Sequence, residues 1–309
     1  MPATPLLSDV PAPLHAGQLT STGFDVVPVV MILGAAALYL FGVVRVRRLR
    51  PRHPWPLGRT LAFLAALVVT GIAIFSFIGV YDGVLFWDHM VQHLLLIMVA
   101  ALLFAVGSPL ALTYRASTGA THRRVARALR SPVARFFDHP LVAFLLYAVV
   151  IPITHLTVWF NYTLVHESVH NAEHIVFVVV GYLFWRQVFG IEPSEHRMHP
   201  GLKMLYLLVA VSVDTFVGLS LDSASHELFP AYTAMHRTWG PTLVTDLHIG
   251  GVIMWVGGDT LMMLAMIPVA LEWLHVEERR AVRVDRELDA MLPNRGPGGS
   301  DQAPVSPGP

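Results

Sequence analysis

The chain has 309 residues, of which 54% are hydrophobic and only 14% charged. A soluble globular domain carries about a quarter charged residues, so this composition argues against a soluble enzyme. Cysteine is absent, which removes disulfide scaffolds, thiolate zinc sites, CxxC redox motifs and CXXCH haem attachment, and a formal net charge of zero offers no bulk attraction to nucleic acid.

Residues 1–23 contain no Lys or Arg and so lack the charged start of a cleavable signal peptide; they read as a Pro-rich tail outside the membrane. Seven segments then supply the roughly 20 apolar residues needed to cross about 30 Å of hydrocarbon. They are residues 24–44, 60–80, 89–107, 140–160, 168–188, 202–221 and 247–271. Breaks such as Arg50-Pro51-Arg52-His53-Pro54, Gly107-Ser108-Pro109 and His199-Pro200-Gly201 separate them. The expected architecture is all-α, a polytopic membrane bundle of seven transmembrane helices over residues 24–275, with no internal repeat. Residues 276–292 read as a solvated continuation of the seventh helix, within a tail (276–309) expected to be disordered from about residue 296.

All but one of the 21 Lys and Arg residues fall in the first, third and fifth loops or the C-terminal tail; the exception is Arg237. By the positive-inside rule this predicts an exterior N-terminus and a cytoplasmic C-terminus, with the bundle surrounded by lipid. The single lysine, Lys203, sits at a cytoplasmic edge, so a retinal Schiff base on the seventh helix is excluded.

Sixteen histidines are the main anomaly. His53, His122, His139, His196, His199 and His275 fall among the cytoplasmic arginines and read as interfacial. His15, His89, His93, His155, His166, His170, His174, His226, His236 and His248 fall on the outer side. His89 and His93 are four apart, and His166, His170 and His174 continue that spacing on the fifth segment; such residues share one helix face. His155 stands about 22 Å along the outward-running fourth segment. His248 starts the seventh, two residues after Asp246. Imidazoles from several helices are thus expected at one depth, a donor set suited to copper, zinc, iron or nickel. His89, His93, His170 and His174 are the principal candidate ligands, with His155, His166 and His248 as additions; Asp88, Glu173 and Asp246 are expected to hydrogen-bond the imidazoles from behind. Asp214 and Asp259 lie about 18 Å into their spans, where a carboxylate is costly and faces the bundle interior, as a hydrogen-bonded structural group or a relay.

Three strings also carry a resemblance. Trp87-Asp88-His89-Met90-Val91-Gln92-His93-Leu94-Leu95-Leu96, with Gly107-Ser108-Pro109-Leu110, resembles the signature of the CtaG-type assembly factors of caa-type cytochrome c oxidase. His170-Asn171-Ala172-Glu173-His174 with Gly181-Tyr182-Leu183-Phe184-Trp185, and Asp246-Leu247-His248-Ile249-Gly250-Gly251-Val252-Ile253-Met254-Trp255, are similar to its second and third blocks. The resemblance spans about residues 60–275 and implies a plasma-membrane protein that matures a haem–copper oxidase by handling copper. It points to His89, His93, His170, His174, Asp246 and His248, and to an oxidase subunit and other copper chaperones as partners.

The leading expectation is therefore a non-enzymatic assembly factor that binds copper in an outer-leaflet histidine cluster. Three alternatives stay open. One is a b-type haem protein with axial histidines from two helices. Another is a metal-free scaffold. The third is a zinc-dependent membrane hydrolase, because His166-Glu167-Ser168-Val169-His170 matches HExxH.

Overall fold

The computed structural model describes residues 11–13, 22–23, 26–190, 192 and 196–291; His15, most of the N-terminal tail and the end expected to be disordered lie outside the described residues. Long apolar stretches become helices because backbone N–H and C=O groups inside hydrocarbon must bond to one another. Six helices are long and apolar enough to cross a membrane, and a bent pair makes a seventh. In chain order, spans 1 to 7 are Val26–Leu49, Leu57–Tyr81, Phe86–Ala116, the pair Pro132–Asp138 and Pro140–Leu156 (bent by 68°), Glu167–Phe189, Pro200–Asp222, and Leu243–Ala290. No strand occurs among the described residues.

Span 3 runs past the Gly107-Ser108-Pro109 break at which the sequence places its end. Ser108 takes a left-handed conformation (φ 50°), and Pro109 restarts the helix at its first position, where its missing N–H costs nothing. The seventh helix continues without interruption to Met291, leaving its charged last turns exposed.

The main core lies between spans 3 to 7, around Tyr147, Phe177, Phe184, Trp185, Leu207 and Leu247. Spans 1 and 2 form a smaller cluster with the end of span 3 through Tyr39, Val46, Phe63 and Leu112. The buried residues of span 1, Tyr39, Gly42 and Val46, all lie in its second half. Its first half, from Val26 to Leu38, presents exposed aliphatic side chains.

Two π-helical turns interrupt spans 3 and 7, at Leu95–Ala100 and Ile253–Gly257. Within the first, the Ile97 carbonyl accepts from the Trp185 indole N–H at 3.2 Å. Span 5 reaches that carbonyl because position 181 is glycine: a Cβ there would stand 2.4 Å from Ile97 O. The π turns thus shape the core directly beneath the histidines.

Candidate metal centre

The end of span 3 that carries Asp88, His89, Gln92 and His93 is anchored from span 7. Asp246 accepts from the free N–H groups of Phe86 (3.2 Å) and Trp87 (3.0 Å), and so caps the helix that starts there. Arg237, the one cation outside the arginine-rich loops, is buried and donates to Asp246 Oδ2 at 2.9 Å, to Trp239 O and to Pro241 O. The exception to the charge pattern is therefore a paired structural group.

On that anchored helix His89 and His93 lie one turn apart, with ring centroids 4.2 Å from each other. Span 5 brings His170 beside His89 (centroids 4.9 Å, stacked) and His174 beside His170 (4.4 Å). Span 4 contributes His155 from its last turn. Phe160 and Phe177, both fully buried, close the cluster on its apolar sides.

Hydrogen bonds fix which nitrogen of each ring carries the proton, since a carbonyl can only accept. His155 Nδ1 donates to Ile151 O at 2.9 Å, which leaves its Nε2 to accept from His93 Nδ1 at 3.2 Å. His93 Nε2 is then a bare lone pair. His89 Nδ1 donates to Asp82 O at 3.2 Å, so its Nε2 is bare as well. Gln92 donates to Ala73 O (3.0 Å) and Asp82 Oδ2 (2.8 Å), and its carbonyl accepts from His174 Nε2 at 2.9 Å. Glu173 is held through its other oxygen, which accepts from Trp159 Nε1 at 3.1 Å.

The consequence is a set of buried atoms without partners: His89 Nε2, His93 Nε2, His170 Nε2 and Glu173 Oε2. These same four residues each offer a ligand atom lying within 4.8 Å of the others. Unpaired buried polar atoms are costly, and their convergence makes a donor set of three imidazoles and one carboxylate. A tetrahedral ion about 2.1 Å from each donor would set the donors about 3.4 Å apart, so binding draws the cluster inward. A second group, Asp82, His170 and His174, meets the same distance limit and shares His170. Burial raises the Asp82 carboxyl to about 7 against the opposing Gln92 bond.

Below the cluster, His93 and His155 wall a cavity of about 20 Å³ with Met90, Met98, Tyr147 and Asp214, space for one water. Asp214 accepts from Tyr147 Oη at 2.6 Å, and Asp259 accepts from Thr215 Oγ1 at 2.7 Å. Each intramembrane aspartate thus faces inward onto a hydroxyl while its second oxygen stays unbonded.

Residues 37–275 match the family model described as cytochrome c oxidase caa3 assembly factor. The chain belongs to this family. Every histidine of the cluster, with Asp82, Gln92 and Glu173, falls within the residues matched by the family model. Uncharacterised proteins of Mycobacterium leprae (29% identical over 273 residues, 84% of this chain) and Mycobacterium bovis (30% over 295 residues, 90%) are relatives. The chain spans 41% and 43% of their respective lengths. No solved structure matches the chain.

Of the residues singled out from sequence, the structure unites His89, His93, His155, His170 and His174, and groups Glu173 with His89, His93 and His170 among the residues that could hold a metal ion. It does not unite the others. His166 is exposed and bonded to Tyr162 O (2.9 Å), and His248 bonds to Ala224 O (2.8 Å). Asp88 is fully buried with both oxygens unbonded, touching no imidazole through a hydrogen bond. Asp246 holds backbone and Arg237, not a histidine. Sequence reasoning missed Asp82 and Gln92. Gln92 carried a signal, since a buried amide beside His93 on a membrane helix needs partners; Asp82 carried none beyond its Asp-Gly turn.

Proposed function

We propose that this caa3 assembly factor holds copper in the cluster of His89, His93, His170 and Glu173 and delivers it to a subunit of the haem–copper oxidase. The observation that carries the reading is an overlap: each of the four residues whose ligand atoms converge also has a buried polar atom without a hydrogen-bond partner. Neutral imidazoles with one carboxylate suit copper, and zinc is accommodated by the same set. Copper here is cargo, received from other copper chaperones and passed on. His155 orients His93, and Gln92 orients His174, through their hydrogen bonds. The cysteine-free chain hands over metal by imidazole and carboxylate exchange, without thiolates.

Against a haem between two axial histidines stands the packing: neighbouring rings of the cluster lie 4.2–4.9 Å apart between centroids, with Phe160 and Phe177 packed against them. Against a zinc hydrolase stands His166, which is exposed at the helix start, outside both ligand groups. The charge pattern supports the histidine end facing the exterior of a bacterial plasma membrane and the arginine end facing the cytoplasm.

The test is metal content with the optical spectrum of detergent-purified protein, wild type beside the His89→Ala/His93→Ala variant. Copper near one equivalent, lost in the variant and without a Soret band, is the expected result. A Soret band would transfer the protein to the haem class. Absence of metal under copper-replete conditions would leave a scaffold and overturn the reading.

A further inference from the structure

The second ligand group is differently placed from the first. Asp82 and His170 are half-buried in it, whereas His89, His93 and Glu173 are buried. Gln92 pins its geometry by accepting from His174 Nε2 and donating to Asp82 Oδ2, so the imidazole keeps its proton there and offers Nδ1. His174 also lines a cleft of about 450 Å³, with Ser168 and Asn171 at its polar end. Its remaining walls come from spans 1, 2, 3 and 5 and are mostly apolar, among them Val27, Met31, Ile175 and Val179, all exposed on the bundle's flank. The cleft lies beside the first half of span 1, whose residues are half-buried or exposed, the fully buried ones all falling in its second half.

Resting on the copper reading, we propose that the two groups are successive positions of one ion. His89, His93, His170 and Glu173 form a holding position; Asp82, His170 and His174 form an exchange position beside the lateral cleft, where a ligand from a membrane-embedded acceptor meets the metal. His170 is the pivot. In the shift, bonds to His89, His93 and Glu173 break as bonds to Asp82 and His174 form, and the bond to His170 is kept. No electron moves, and the copper keeps its oxidation state. Each position supplies one carboxylate, so the charge around the ion is the same before and after. A buried position alone would retain its metal, because release would strand unpaired buried donors; the half-buried position gives the ion an exit.

The experiment loads the purified full-length chain with Cu(I) and follows its removal, per bound copper, by membrane-partitioning neocuproine and by water-soluble bathocuproine disulfonate. The wild type is expected to release faster to neocuproine. His174→Ala and Asp82→Asn are expected to slow that release by about tenfold or more. Val179→Trp, which fills the cleft without touching a ligand, is expected to bind the same copper and to slow neocuproine alone. Wild-type release rates in His174→Ala and Asp82→Asn would overturn the exchange position. Equal slowing of both chelators by Val179→Trp would overturn the lateral route. Absence of copper from the wild type would instead overturn the copper reading, and this proposal with it.

Discussion

At the centre of the histidine cluster, protons rather than rings decide what each residue can do. Two rings whose Nδ1 is committed to a carbonyl or to a neighbouring imidazole are left with a bare Nε2, and that is why His89 and His93 point lone pairs at one another's neighbourhood. Gln92 serves three partners at once, so Gln92→Leu leaves Ala73 O, Asp82 and His174 unpaired. It is expected to cost ~1–3 kcal/mol for each group that stays buried, read as a lower midpoint of thermal unfolding in detergent. The Arg237–Asp246 pair is equally exposed to single deletion, with both side chains only 2% exposed. Arg237→Ala is expected to destabilise by ~3–5 kcal/mol, because a buried carboxylate is left without its counter-charge. The double variant Arg237→Ala/Asp246→Asn should recover part of that loss; a double variant no more stable than the single would contradict the pairing.

Elements bring these residues together by unusual local geometry. Ile97 O, within the π turn of span 3, accepts from the Trp185 indole, and Gly181 lets the two backbones meet. Gly181→Ala places a methyl against that carbonyl and is expected to cost ~1–3 kcal/mol by overpacking. Since span 5 carries His170, Glu173 and His174, the same change should weaken copper binding at a distance from every ligand. Unaltered copper affinity in a destabilised Gly181→Ala protein would mean that the spans adjust independently of the cluster. Span 4 shows the converse case: its break at His139, whose Nδ1 accepts from Leu141 N at 3.2 Å, bends the pair by 68° yet leaves His155 in register with His93.

For the molecule as a whole, a metal bound only by the folded bundle stabilises it by mass action. Free copper at about 100 times its dissociation constant is expected to add ~2.7 kcal/mol to wild-type stability. His89→Ala/His93→Ala protein should show no such gain in a thermal melt. The orientation is open to direct measurement because the chain has no cysteine of its own. A single cysteine at Ser225, exposed near the histidine end, is expected to react with an impermeant maleimide in intact cells. One at Thr121, exposed on the arginine-rich helix Gly119–Leu129, is expected to stay unlabelled until the membrane is opened. The reverse labelling pattern would invert the bundle and place the histidine cluster on the cytoplasmic side.

Spans, their order and the histidine repeat were all legible in the sequence, because hydrocarbon thickness sets a helix length and a four-residue spacing sets a helix face, both of them local rules. Those rules place His89 with His93 and His170 with His174, but say nothing of how far round the bundle each face is turned. Only the tertiary structure separates Glu173, which joins the donors, from Asp246, which caps a helix and binds Arg237. Only it leaves His166 and His248 outside, each satisfied by a carbonyl. Asp82 and Gln92 enter for the same reason: a loop carboxylate and a helix amide become neighbours of the site through contacts between spans 2, 3 and 5 that no single segment encodes. Secondary structure in a membrane is dictated segment by segment; which polar atom remains unpaired depends on every neighbour packed around it.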